Sequence, residues 1–128
     1  MIFVDTNVVM YAVGGSHPLR EDARRFFQET LQRGDRLVTS AEVLQELLHA
    51  YLPVNRLETL DAALTLAEAR CAVVWPVEQE DVRLARVLVG RHPGLGARDL
   101  LHLACCKRRA VTEIKTFDRA LAAAHRLS

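Results

Sequence analysis

The 128-residue chain is short of the features that mark most specialised classes. It has three cysteines, Cys71, Cys105 and Cys106, an odd number without metal-finger spacing. Two of them are adjacent in an apolar segment, which argues against a disulfide framework or a zinc site and for buried free thiols. No apolar run is long enough to cross a bilayer, and the amino terminus lacks the basic region and apolar block of a secretory leader, so a cytoplasmic protein is expected. Charge of one sign is not in excess: Lys+Arg total 17, Asp+Glu 16, and the formal net charge is +1. Attraction to nucleic acid must then come from a local patch. Lysine is confined to Lys107 and Lys115. With no repeats, linker or low-complexity tract, residues 1–128 read as a single domain with one substantial core.

Short strands alternate with amphipathic helices. Ile2-Phe3-Val4, Leu37-Val38-Thr39, Ala72 to Trp75 and Glu113 to Asp118 read as strands. Helices are expected over Val8 to Val13, Pro18 to about Arg33 with Ala23, Phe26, Phe27 and Leu31 on its apolar side, a segment opening at Thr39 and stopping before Pro53, about Arg56 to Arg70, about Glu78 to Val89, Ala97 to Cys106 and Ala120 to Leu127. In the third of these, Thr39-Ser40-Ala41-Glu42 has the form of a capping box, which gives Glu42 a structural role. The alternation predicts an α/β domain whose short parallel sheet is flanked by helices on both faces, with ligands beyond the carboxyl ends of the strands.

Acids stand where that fold would bind something. Asp5 closes a strand buried on both faces, and Asp118 lies at the end of another strand-like run. Asp99 sits in the first turn of an apolar helix, and Glu46 borders the buried stripe Val43, Leu44, Leu47, Leu48 and Tyr51, roughly 60° from Val43 by helical spacing. All but Glu46 have a structural alternative: Asp5, Asn7 or Asp118 as a helix cap, Asp99 as a complement to the helix dipole. Together they are harder to explain. Two carboxylates about 4 Å apart repel by about 4 kcal/mol at an effective dielectric near 20, so four gathered acids must hold protons or metal. Oxygen donors without a Cys or His set favour Mg²⁺ or Mn²⁺, and such ions serve phosphodiester hydrolysis.

In order along the chain, Asp5-Thr6-Asn7, Ser40 to Leu47 with Glu46, Ala97-Arg98-Asp99-Leu100-Leu101-His102, and Thr116-Phe117-Asp118 resemble the four motifs of PIN-domain proteins, most closely the VapC-type ribonuclease toxins. The resemblance covers nearly the whole chain. It implies a divalent-metal endoribonuclease that cuts RNA, forms a homodimer and is held inactive by a small antitoxin covering the acidic site. It further implies metal-ligand and catalytic roles for Asp5, Glu46, Asp99 and Asp118, with Asn7 and Thr116 in support. The chain stops at Ser128 where relatives often continue into another strand, of which Arg126-Leu127-Ser128 could be a remnant.

Other readings fit less well. Glu46-Leu47-Leu48-His49 matches the Glu-x-x-His element of di-iron bundles, and His102 follows Asp99 at the same offset, but such bundles have no strands. His49 and His102 read as structural or substrate-facing. A phosphate-receiver module would need an acidic pair after the first strand, and a haloacid-type phosphatase a second acid where Asn7 stands. Gly94-x-Gly96 follows no buried strand and makes no dinucleotide loop. Lys107-Arg108-Arg109 reads as the solvated end of a helix rather than an RNA contact, and Asp35, Asp61 and Asp81 as solvent-facing. An inert PIN-like or receiver-like magnesium-binding module and a structure-specific DNA nuclease remain the functional alternatives.

Overall fold

The computed structural model describes residues 1–127. Among them are four strands and seven helices: β1 (Ile2–Val4), α1 (Thr6–Val13), α2 (Arg20–Arg33), β2 (Leu37–Ser40), α3 (Ala41–Tyr51), α4 (Leu57–Arg70), β3 (Cys71–Trp75), α5 (Gln79–Leu88), α6 (Ala97–Arg108), β4 (Glu113–Lys115) and α7 (Arg119–Arg126). The strands form one sheet in the order β3-β2-β1-β4, and every pairing is parallel. The chain builds outward from β1 through β2 to β3, then returns to place β4 on the other side of β1. The order therefore reverses between β1 and β4, and in open parallel sheets such a switch point leaves a crevice beyond the strand ends.

Alternation along β1 assigns its two faces. Ile2 and Val4 join a core with Val8 and Val9 of α1, Phe27 of α2, Leu47 and Tyr51 of α3, and Leu60 and Ala63 of α4. Phe3 points the other way, toward Val38, Cys105, Cys106 and Val111. A third cluster joins Leu88, Leu100, Leu103 and Ala124 of α5, α6 and α7. Helices thus cover both faces of the sheet, as the pattern predicts. The three cysteines are buried free thiols, and burial raises Cys71 and Cys105 to about 11, which keeps them protonated and unreactive at neutral pH.

Several local expectations are corrected by contacts distant in sequence. The Thr39 hydroxyl donates to the Val4 carbonyl at 3.0 Å, across β2 and β1. Thr39 is a strand residue and not a cap; Ser40 occupies the N-cap of α3 without a side-chain hydrogen bond. On α2, Leu31 is 65% exposed while Thr30 is fully buried, its hydroxyl donating back to the Phe26 and Phe27 carbonyls. Leu48 on α3 is exposed as well. The strand expected over 113–118 stops at Lys115, because Thr116 and Asp118 turn into side-chain hydrogen bonds. Arg126 ends α7 and does not begin a strand, and Ser128 lies outside the described residues.

Asp81 is the largest correction. It is 1% exposed, the third residue of α5, and its carboxylate accepts from the Glu78 backbone N–H in a capping box. It also accepts from Arg108 at 2.8 Å and Arg109 at 2.7 Å. Arg109 lies over the Trp75 ring as well, 5.3 Å from its centre. Those two arginines are a structural clamp between α6 and the segment after β3, and not merely a solvated helix end.

Candidate active site

The switch point fills with polar side chains. Asp5 follows β1 directly, and its N–H donates to the Lys115 carbonyl at 3.0 Å, extending the β1–β4 contact by one residue. Its Oδ1 accepts the Thr6 N–H at 2.7 Å, so Asp5 does cap α1. The cap leaves Oδ2 to accept the Thr116 hydroxyl at 2.7 Å. Thr116 in turn accepts from Asn7 Nδ2 at 3.3 Å and from the Asp118 N–H at 3.0 Å, and Asn7 Oδ1 accepts the Phe117 N–H at 3.2 Å. One hydroxyl thereby ties the ends of β1 and β4 together and fixes the Asp5 carboxylate.

Glu46 reaches the same place from α3. The side chain is 12% exposed and both oxygens are engaged: Oε2 accepts the Thr6 hydroxyl at 2.5 Å, and Oε1 lies 2.8 Å from Nε2 of His102. The imidazole is 1% exposed, stands 5.4 Å from the Phe3 ring centre, and places Nε2 only 3.6 Å from Asp5 Oδ1. Potential ligand atoms of Asp5, Glu46 and His102 all lie within 4.8 Å of one another.

Asp99 stands one turn before His102 on α6. With Glu46, Gly96, Ala97 and Arg98 it lines an open cavity of about 310 Å³. Burial pushes its carboxyl up to about 6, helped by the charges of Asp118, Asp5 and Glu46 and opposed by His102. Asp118 caps α7, accepting from the Ala120 and Leu121 N–H groups at 2.9 and 3.1 Å, yet its charge reaches Asp99. Asp5 is likewise raised, chiefly by burial, against the pull of His102, Thr116 and Thr6. Glu46 is the exception: burial would raise it, but the His102 hydrogen bond and charge, the Thr6 hydroxyl and Arg98 hold it below the usual carboxylate range. Burial would lower His102, and the Glu46 hydrogen bond with the charges of Asp5, Glu46 and Asp99 raises it instead.

Two of the four expected acids, Asp5 and Glu46, are thus brought side by side. Asp99 joins them electrostatically, and Asp118 borders Asp99 while tethered through Thr116. Sequence reasoning read His102 as structural or substrate-facing and Glu42 as a capping residue, and gave Thr6 no role beyond its place in the Asp5-Thr6-Asn7 motif. Glu42 lies one turn before Glu46, and burial and then the Glu46 charge raise its carboxyl, so it faces the acidic group and not its own helix cap. For His102 the signal was its place three residues after Asp99, which sets both on one side of α6. The acids outnumber the cations around them, and the single imidazole cannot offset them. A donor set of carboxylate oxygens beside one imidazole fits a hard divalent cation.

The PIN-domain family model matches residues 2–127. Ribonuclease VapC23 of Mycobacterium tuberculosis is 67% identical over 126 residues, spanning 98% of this chain and 99% of that protein. Among solved structures, VapC20 of Mycobacterium tuberculosis, described as a sarcin-ricin-loop-cleaving toxin, superposes with a TM-score of 0.83 at 19% identity, covering 97% of this chain and 95% of that one. VapBC2 of Rickettsia felis, bound to a DNA fragment from its promoter, gives 0.67 at 19% identity over 92% of this chain and 88% of that one.

Proposed function

Because this chain belongs to the PIN-domain family, among its VapC-type ribonuclease toxins, we propose that Asp5, Glu46, Asp99 and Asp118 hold its divalent cation, Mg²⁺ or Mn²⁺. The protein is an endoribonuclease, the toxin of a toxin-antitoxin pair. When bound, the ion supplies Lewis-acid stabilisation of phosphate charge and activation of water. The chain itself supplies preorganisation. Thr116 and the Thr6 N–H fix both oxygens of Asp5, and the Thr6 hydroxyl and His102 fix both oxygens of Glu46. Asp99, whose carboxyl is pushed up to about 6, borders an open cavity beside Glu46.

The observation that carries this reading is the meeting of Asp5 and Glu46 at the sheet's switch point, with Asp99 raised by burial and by the charges of Asp118, Asp5 and Glu46 against the pull of His102. The substrate we assign is RNA, cut in the cytoplasm. The partners are a small antitoxin lying over the acidic opening and a second copy of the chain; exposed apolar side chains such as Leu52, Val54 and Val87 give them surface to bury. No helix among the described residues is long and apolar enough to cross a membrane.

The test is cleavage of structured RNA, single-stranded RNA and flap DNA by purified protein with Mg²⁺, with Mn²⁺ and with EDTA. Metal-dependent cutting of RNA is expected, and Asp5→Asn should lower its rate by roughly 10²–10³-fold, the cost of removing one preorganised charge-stabilising group. Equal rates for parent and variant would remove Asp5 from the chemistry. Cutting confined to flap DNA, or none at all, would return the DNA-nuclease or inert-module alternative.

A further inference from the structure

Glu46 reaches the site from the flank of a helix, on a side chain with three rotatable bonds. Left free, such a side chain loses rotamer entropy when it is fixed. In this chain that ordering is done by neighbours. Thr6 holds Oε2, and His102 holds Oε1 from the opposite side. The imidazole is almost wholly buried, and its other nitrogen, Nδ1, is buried without a hydrogen-bond partner, so the polar contacts of this ring are concentrated on Nε2. That one nitrogen lies between the carboxylate from β1 and the carboxylate from α3, and it is borne by the helix that carries Asp99 three residues earlier.

We infer that His102 is a positioning residue: through its Nε2–H it holds the Glu46 carboxylate in the orientation the cation requires, and it is not itself a ligand. This rests on the assignment of Glu46 as a ligand. Two features of the geometry favour holding over ligation. Nε2 lies 2.8 Å from Glu46 Oε1 and 3.6 Å from Asp5 Oδ1 while Nδ1 has no acceptor, which favours the tautomer with its proton on Nε2, and an Nε2–H has no lone pair to offer a metal. Hydrogen bonds that orient a ligating side chain are commonly worth 10- to 100-fold in metal affinity.

Mn²⁺ binding by the purified full chain separates these roles. In titration calorimetry, His102→Leu should weaken Mn²⁺ binding about 10- to 100-fold, while His102→Gln, which retains an N–H donor, should recover much of the loss. Far-ultraviolet circular dichroism of both variants checks that they fold. A second measurement needs no variant: pulsed electron paramagnetic resonance of Mn²⁺ bound to the parent should lack the ¹⁴N coupling of a directly coordinated imidazole. Unchanged affinity in a folded His102→Leu chain, or strong imidazole ¹⁴N coupling in the parent, would overturn the inference while leaving the metal site standing. A parent that binds no Mn²⁺ would overturn the underlying site assignment, and this inference with it.

Discussion

The two ends of α6 each hold a desolvated aspartate, and the protein treats them in opposite ways. Near the carboxyl end, Asp81 from α5 is clamped by Arg108 and Arg109. Burial would raise its carboxyl, but the Arg109 hydrogen bond, the Glu78 N–H and Arg108 hold it at about 2. At the amino end, Asp99 has acids for neighbours and stands at about 6. Resident cations close the first site, so it is finished as folded. The second has His102 between two of its carboxylates and Arg98 at its edge, fewer cations than acids, and the proposed ion would supply the remaining positive charge. Buried charge shows what a site is for only when the partners are counted.

The sharpest break of this comparison is in activity. Asp99→Asn should cost roughly 10²–10³-fold in RNA cleavage, whereas Asp81→Asn, assayed below its melting temperature, should cleave at close to the parent rate. Comparable losses in both would erase the distinction between an open acidic site and a closed one.

Stability should reverse the order. Breaking a buried ion pair by removing one partner leaves an uncompensated charge and commonly costs 3–5 kcal/mol. Because Arg108 keeps 29% of its side chain in solvent and Glu78 still pairs with both arginines after the change, Asp81→Asn is expected to fall below that range, about 2 kcal/mol, measured by urea unfolding. A loss under about 1 kcal/mol would mean that the clamp is no more than a surface pair.

The difference between these sites also sets what could be read from the chain alone. Strand and helix alternation, and with it the parallel sheet, was legible because period-2 and period-3.6 patterns are local. Asp5, Glu46, Asp99 and Asp118 stood out because each breaks such a pattern or matches a motif. The arginine clamp was not legible: Asp81 meets partners 27 and 28 residues away, and an acid in the first turn of a helix looks solvated until those partners are placed. Thr39 misled for the same reason, since its bond to Val4 spans 35 residues while the capping pattern around it spans three. His102 lies between the two cases; its position after Asp99 was visible, but its contact with Glu46 bridges 56 residues.

A pH series probes the clamp more gently. The folded pKa of Asp81 is depressed, so its contribution to stability is fully present above about pH 4 and is lost as pH falls through about 2. The parent should lose about 2 kcal/mol across that window through this group, and Asp81→Asn should lack that component. Parallel acid-unfolding curves for the two proteins would place the acid sensitivity elsewhere.

The smallest effect has the opposite sign to the clamp's, and that makes it the most discriminating. In metal-free protein the Asp99 carboxylate is a cost, crowded by Asp118, Asp5 and Glu46. Replacing it with the near-isosteric amide in Asp99→Asn removes that repulsion while keeping the packing, and should stabilise the EDTA-treated chain by about 1 kcal/mol after screening of a half-exposed group, a rise of roughly 3–5 °C in Tm. Adding Mg²⁺ or Mn²⁺ should then raise the parent's Tm more than the variant's, since an ion bound to the folded state stabilises in proportion to its affinity. A metal-free variant less stable than the parent would mean that Asp99 is held by favourable contacts as Asp81 is, and that both ends of α6 are closed.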